Sequence, residues 1–289
     1  MAATPRRLAR ADANRRLYRI LERAGLYAIL LLGALISLFP FYWMVATSLK
    51  PSNEIFVWPP VLVPSRLTLE GYRYVWETMD VPRTTLNSVI VAVTQVSLNV
   101  FFSSWVAYAF AKLRFPGKRA LLMLVMALMI LPGQIMMMPL FLLVNDLNLL
   151  DTYPGIVLPG AITVFTIFLL RQAFISVPDE YVDAAIIDGA SHFHILYHIA
   201  YPIAKPLLLT AVVINLYWTW NAFLWPLIVI VSDEMATLPV ALSRYRTFQA
   251  QRWDAIMAAA TVVALPIVLL YLVIQRQFVE SLAMSGLKG

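Results

Sequence analysis

The chain has 289 residues, of which 61% are apolar and 13% charged, with 22 basic side chains against 16 acidic ones and no cysteine. Soluble domains carry about 25% charged and 45–50% apolar residues, and the mean hydropathy of +0.76 argues against both disorder and an ordinary cytosolic enzyme fold. Without cysteine there are no disulfides, thiolate metal sites, iron–sulfur clusters or thiol nucleophiles. The composition is that of an integral membrane protein, and the net charge of +6 is read as a topology signal rather than a nucleic-acid footprint.

Charge-free windows run Ala24–Leu49, Thr84–Ala111, Ala120–Asn145, Thr152–Leu170, Pro206–Ser232 and Ala255–Gln275. Each reaches the roughly 20 residues that a helix needs to cross a hydrocarbon core. A charge at mid-helix costs about 2.5–3.5 kcal/mol on insertion scales, so such windows do not arise by chance. The alternation of a membrane β-barrel is absent. The expected fold is all-α and polytopic, with six transmembrane helices.

Basic residues set the orientation. Arg6, Arg7, Arg10, Arg15, Arg16, Arg19 and Arg23 precede the first window, and Lys112, Arg114, Lys118 and Arg119 fill the connection between the second and third. Arg171, Lys205, Arg276 and Lys288 fall on the same side, whereas the Asp146–Asp151 connection has none. The positive-inside rule then places both termini in the cytoplasm; Arg244, Arg246 and Arg252 are the exception. Pro40, Pro132, Pro139, Pro159, Pro226 and Pro266 lie inside the windows and are expected to kink them. The interior polar residues are amides such as Asn87, Gln95, Asn99 and Asn215. Ionisable groups, which proton-coupled carriers use for coupling, are missing there. A stand-alone secondary carrier is therefore the alternative that the windows disfavour.

The connection from Arg171 to Pro206 is long and mixed in character. Ser176 followed by Asp179 reads as a capping box with Pro178 in the first turn, and Asp179, Glu180 and Asp183 suit a helix N-terminus. Gly189 reads as a helix stop, and Ser191 as the cap of a second short helix ending near Pro202. The product is a helical elbow. Ala184, Ala185, Gly189 and Ala190 keep it narrow enough for a partner's backbone to approach.

Asp183-Ala184-Ala185-x-x-x-Gly189, nine residues, then Ile199-x-Tyr201-Pro202 resembles the EAA motif of ATP-binding-cassette importer permeases, Glu-Ala-Ala-x3-Gly-x9-Ile-x-Leu-Pro. Asp183 stands for the Glu and Tyr201 for the Leu. The resemblance is to the carbohydrate-uptake, maltose-type branch. It extends through Trp220-Asn221-x-Phe223-Leu224-Trp225-Pro226 to the tail Ser285-Gly286-Leu287-Lys288-Gly289, which is similar to that branch's Gly-Ala-Val-Lys-Gly ending.

The resemblance implies a type I ABC-importer permease fold. Residues 1–83 would form the cytoplasmic N-terminus, first span and extracytoplasmic loop; 84–276 the transmembrane core, with a coupling loop at 176–205; and 277–289 the cytoplasmic tail. Asp183, Ala184, Ala185, Gly189, Ile199 and Pro202 would dock on an ATPase subunit. Loss of a desolvated charge pair at Asp183 would cost on the order of 3–5 kcal/mol. The implied partners are a second permease subunit, two ABC ATPase subunits, an extracytoplasmic solute-binding protein and membrane lipid, in a bacterial or archaeal plasma membrane. No nucleic acid is implied. This chain has no G-x-x-x-x-G-K-[ST] phosphate loop, since Gly117-Lys118 is followed by Arg119. The chain itself is expected to hold no cofactor and to catalyse nothing, ATP and magnesium belonging to the ATPase subunits. The implied cargo is a sugar or oligosaccharide, with glycerol phosphate or another polar solute as the alternative within the family.

Trp218, Asn221 and Trp225 recur at helical spacing and are read as one face of the fifth span. Aromatic rings with an amide between them suit a carbohydrate path. Gln134, beside Pro132 and Gly133, is a further candidate for that path. His194 and His198, four apart with His192 near, have the spacing of metal ligands. They lack an H-E-x-x-H signature and are read as a solvated helix. Met123, Met126, Met129 and Met136–Met138 are read as flexible gap-fillers.

Overall fold

The computed structural model describes residues 5–248 and 252–286, with side chains over 20–247, 252–269 and 271–272. Among the described residues there is no strand. The helices run α1 Pro5–Ser48, α2 Glu70–Thr78, α3 Val81–Lys112, α4 Lys118–Ala127, α5 Gly133–Asp146, α6 Tyr153–Val157 and α7 Val164–Ile175. They continue with α8 Asp179–Ile187, α9 His192–Ile195, α10 Tyr201–Trp220, α11 Leu224–Val229, α12 Leu238–Phe248 and α13 Trp253–Gly286. A π-helical turn, Leu196–Ala200, joins α9 to α10. Described residues 5–74 with 252–261 form one compact unit, and described residues 75–248 with 262–286 form another.

In the first unit the apolar window of α1 carries no buried residue. Its foot is tied down by Lys50, whose Nζ sits 4.0 Å over the Trp43 ring, and by the Ser48–Tyr72 hydroxyl pair at 2.9 Å.

The second unit is organised by α3, α7 and α10, which pack on one another. Asp80 caps α3 by accepting from the Arg83 N–H at 3.1 Å, with Pro82 in the first turn. The buried stripe of α10 is Ala204, Leu208, Ala211, Asn215 and Thr219, spaced at three and four as one helical face requires. α10 packs on α3, which buries Ser103, Ser104 and Ala107, and on α7, which buries Thr166, Leu170 and Ala173. Small side chains at these positions let the backbones come close. Where the helices cross, polar side chains bond from one segment to the next. The Asn99 amide donates to Gly160 O at 2.8 Å and Thr163 Oγ1 at 3.3 Å, and the Asn215 amide donates to Thr166 Oγ1 at 2.9 Å.

Among the described residues, three helices are long and apolar enough to cross a membrane: Ile20–Ser48, Val81–Lys112 and His192–Trp220. Two more segments qualify only as bent pairs, Lys118–Ile130 with Gly133–Asp146 at 99° and Tyr153–Gly160 with Val164–Ile175 at 48°. The Ala120–Asn145 window is therefore not one rod. Leu131 is extended, as a residue before proline prefers, and Pro132 starts α5 with no N–H to give. The fifth window is also corrected. Its rod begins at His192 and ends at Trp220, and Asn221–Phe223 separates it from α11.

Candidate functional site

The elbow between α7 and α10 is the most exposed functional candidate, and it sits on a firm base. Val182 and Ala185 are buried, and with Ile195, Leu196 and Ala200 of the second arm they join Ala107, Tyr108, Leu170, Ala173 and Phe174 in one apolar core. The opposite side of α8 presents Tyr181, Asp183, Ala184, Ile187 and Asp188 to solvent. Ile187 is 86% exposed and Tyr181 58% exposed. An inward face of small apolar groups and an outward face of large ones make a mount and a plug.

Local chemistry sets the turn. Gly189 has φ +81°, in the left-handed region that other L-residues enter at a cost. Its N–H reaches Ile186 O at 3.0 Å and the Ala190 N–H reaches Ala185 O at 2.9 Å, the paired bonds of a Schellman stop. Ser191 then caps the second arm by accepting from the His194 N–H. Two expectations fail here. Ser176 does not cap α8; its hydroxyl turns back to Ala173 O at 2.7 Å, in the last turn of the helix before it. Nor does the second arm stop near Pro202. The rod runs through, and the π turn lies just ahead of Pro202, which has no N–H to return to the preceding turn.

The six motif positions are thus placed unequally. Asp183, Ala184 and Gly189 are on the outer surface, Pro202 is exposed on the rod, Ile199 is half-buried against the base, and Ala185 faces inward.

Beside α8 the C-terminal end of α3 gathers cations, as a helix's negative end favours. The Lys112 ammonium donates to Val177 O and to the Asp179 carboxylate. Lys118 donates to Leu113 O at 2.8 Å, and the Arg171 Nε to Phe110 O at 3.3 Å. The hydrogen bond from Lys112, together with its charge, holds the Asp179 carboxyl below the usual carboxylate range. A cleft of about 690 Å³ separates this end from α8, lined by Arg114, Phe115, Asp183, Ile186 and His192 among others.

The residues proposed for a solute path are not one face. Trp218 is on the rod, its ring edge-on to Phe165 at 4.8 Å. Asn221 lies just past the rod's end, its amide donating to Tyr217 O at 2.8 Å. Trp225 lies beyond the break, in α11, with its indole N–H on Gly155 O at 3.2 Å. Gln134 is exposed at the start of α5. The histidines also diverge. His192 Nδ1 lies 3.2 Å from the Tyr108 hydroxyl, while His194 and His198 stack on each other at 4.1 Å.

Residues 99–283 match the family described as the binding-protein-dependent transport system inner membrane component. The chain belongs to this family. It is 34% identical over 259 residues to the arabinooligosaccharides transport system permease protein AraQ of Halalkalibacterium halodurans, covering 89% of this chain and 93% of that one. With the sn-glycerol-3-phosphate transport system permease protein UgpE of Escherichia coli it shares 31% identity, over 90% of this chain and 95% of the relative. The crystal structure of a bacterial ABC transporter involved in the import of the acidic polysaccharide alginate aligns with a TM-score of 0.79 at 25% identity, over 91% of this chain and 97% of its counterpart. The resemblance drawn from the Asp183–Pro202 spacing is therefore confirmed at the level of the family.

The matched stretch of this inner membrane component holds the elbow, its apolar base and the cations at the end of α3. Lys112, Tyr108, Tyr181 and Ile187 escaped the sequence reading. For Ile187 a signal existed: two isoleucines run directly into Asp188-Gly189 at the end of a short helix, and both are left exposed. Lys112 gave no signal beyond its charge, because its partners are Val177 O and Asp179, some 65 residues on.

Proposed function

We propose that this inner membrane component is the membrane-spanning subunit of an ATP-driven importer that moves a sugar or oligosaccharide across a bacterial or archaeal plasma membrane by alternating access. The observation that carries the reading is the elbow: a solvent-facing plug of Tyr181, Asp183, Ala184 and Ile187 on a buried apolar base shared by α3, α7 and α10. Such a plug serves a partner, and the chain carries no phosphate loop of its own. ATP and magnesium belong to two ATPase subunits, and Asp183 pairs with a basic side chain on one of them. Gly189, Ala184 and Pro202 leave that partner room, while Ala185 and Ile199 seat the elbow. In this reading the two bent pairs count as one span each and α13 supplies the sixth span, with both termini in the cytoplasm. A second permease subunit completes the path, and an extracytoplasmic solute-binding protein delivers the cargo. Names of relatives that speak of oligosaccharides support a sugar.

The test is uptake into liposomes holding this chain with a companion permease, ATPase subunits and binding protein. Uptake that needs both ATP and the ATPase supports the reading; uptake by the chain alone on an ion gradient overturns it. The 31% identical glycerol-phosphate relative favours a second cargo, and competition between labelled arabinotriose and glycerol 3-phosphate in the same liposomes separates the two.

Trp218, Asn221 and Trp225 line the solute path at the rod's end, each from its own segment, with Gln134 a further contact. Asn221→Ala is expected to lower uptake by up to about tenfold, the worth of one hydrogen bond to a sugar hydroxyl, with the yield of folded chain unchanged. Full uptake in that variant would reduce Asn221 to a helix cap.

A further inference from the structure

Of the three helices at the heart of the second unit, α7 and α10 are continuous in sequence with the elbow: α7 leads into α8 through Ser176–Pro178, and α10 extends the second arm. α3 has no such continuity. Whatever moves the elbow reaches α3 through side chains alone. Apolar packing resists compression, but it is non-directional and resists sliding weakly. Directional bonds resist sliding.

Two residues one turn apart on the same face of α3 make such bonds. Lys112 is the last residue of α3, and its side chain is 4% exposed. Its ammonium holds the first arm by Val177 O and the Asp179 carboxylate. Tyr108, itself buried, holds the second arm through His192. The side chain of Asp179 is 76% exposed, so water would solvate that carboxylate without Lys112. The burial of Lys112 therefore has no explanation in the needs of Asp179.

We propose that Lys112 is a positioning residue for energy coupling: it locks the elbow to the end of α3, so that α3 moves with the ATPase-driven elbow as one body. The proposal rests on the elbow being the ATPase contact, and the experiment keeps the two apart. Because the chain has no cysteine, Ser97→Cys on α3 and His194→Cys on the second arm accept one spin label each, both sites being exposed. Distances are measured by pulsed electron resonance in the assembled transporter in nanodiscs, with and without MgATP as the probe.

With Lys112 present the distance is unchanged by MgATP. In Lys112→Met, which keeps the apolar stem, MgATP shifts and broadens it while the ATPase still co-purifies. Lys112→Arg, which can reach both acceptors, restores the fixed distance. Asp179→Asn gives the partial effect and serves if Lys112→Met does not fold. A distance in Lys112→Met and in Asp179→Asn as insensitive to MgATP as in the unaltered chain overturns the lock. Failure of the ATPase to bind even the labelled, otherwise unaltered chain overturns the ATPase reading of the elbow.

Discussion

Gly189→Val is expected to abolish ATP-dependent uptake while leaving the chain inserted and folded. The backbone there has φ +81°, and an L-residue in that region costs roughly 1–2 kcal/mol, more for a β-branched one. The chain itself leaves the space free, since a Cβ at Gly189 would meet nothing within 4 Å. Strain therefore falls on the turn. If φ moves to a negative value, the bonds from Gly189 N–H to Ile186 O and from Ala190 N–H to Ala185 O are lost, and the two arms change direction relative to each other. Val182, Ala185 and Ile195 stay seated in the apolar base, so the damage is confined to the tip that carries Ile187 and Asp183. Uptake in proteoliposomes and co-purification of the ATPase are the measurements, with monodispersity in detergent as the folding control. Gly189→Asn separates backbone from bulk, because Asn enters the left-handed region more readily than Val. Recovery with Asn assigns the defect to the turn, and failure with Asn assigns it to the partner's need for space. Normal uptake and ATPase recovery in Gly189→Val would sink the docking role.

The features legible in the sequence were those decided by a few adjacent residues. Gly189 as a stop and Ser191 as a cap are local chemistry, and both hold. Helical windows were legible because charge is costly in lipid, yet hydropathy says nothing about the direction of the backbone. Pro132 was visible as a kink, but not as a bend of 99°. The fifth window suffered from the same blindness. Its apolar run continues through Asn221–Phe223 while the helix does not, so the shared face of Trp218 and Trp225 dissolved with the assumed continuity. Motif matching placed Ala184 and Ala185 together, and only packing tells them apart: adjacent residues on a helix lie 100° apart, which here sends one to solvent and the other into the core. In the sequence Lys112 is a topology signal and no more, because long-range partners leave no local trace.

Gly155→Ala is expected to damage the fold more than glycine-to-alanine changes at Gly117, Gly133, Gly160 or Gly189. A Cβ there would stand 2.1 Å from Leu149 O and 3.0 Å from its carbonyl carbon, with a Val144 methyl at 3.3 Å. Two of these three neighbours are backbone and cannot rotate away, so the start of α6 has to move. Thr152 caps that start by accepting from the Gly155 N–H at 3.2 Å, and Gly155 O receives the Trp225 indole at 3.2 Å, so displacement breaks both. Overpacking of a tight core costs about 1–3 kcal/mol, and each lost hydrogen bond adds about 1 kcal/mol. Gly160→Ala is the contrast. There the close neighbour at 2.1 Å is the Gln95 amide, the end of a flexible side chain that gives up one bond to Thr219 Oγ1 and swings aside. Thermal unfolding of the two purified variants in one detergent decides the matter: a clearly lower transition for Gly155→Ala than for Gly160→Ala is expected. Equal transitions would mean that α6 yields freely, and that Trp225 on α11 is not anchored through Gly155.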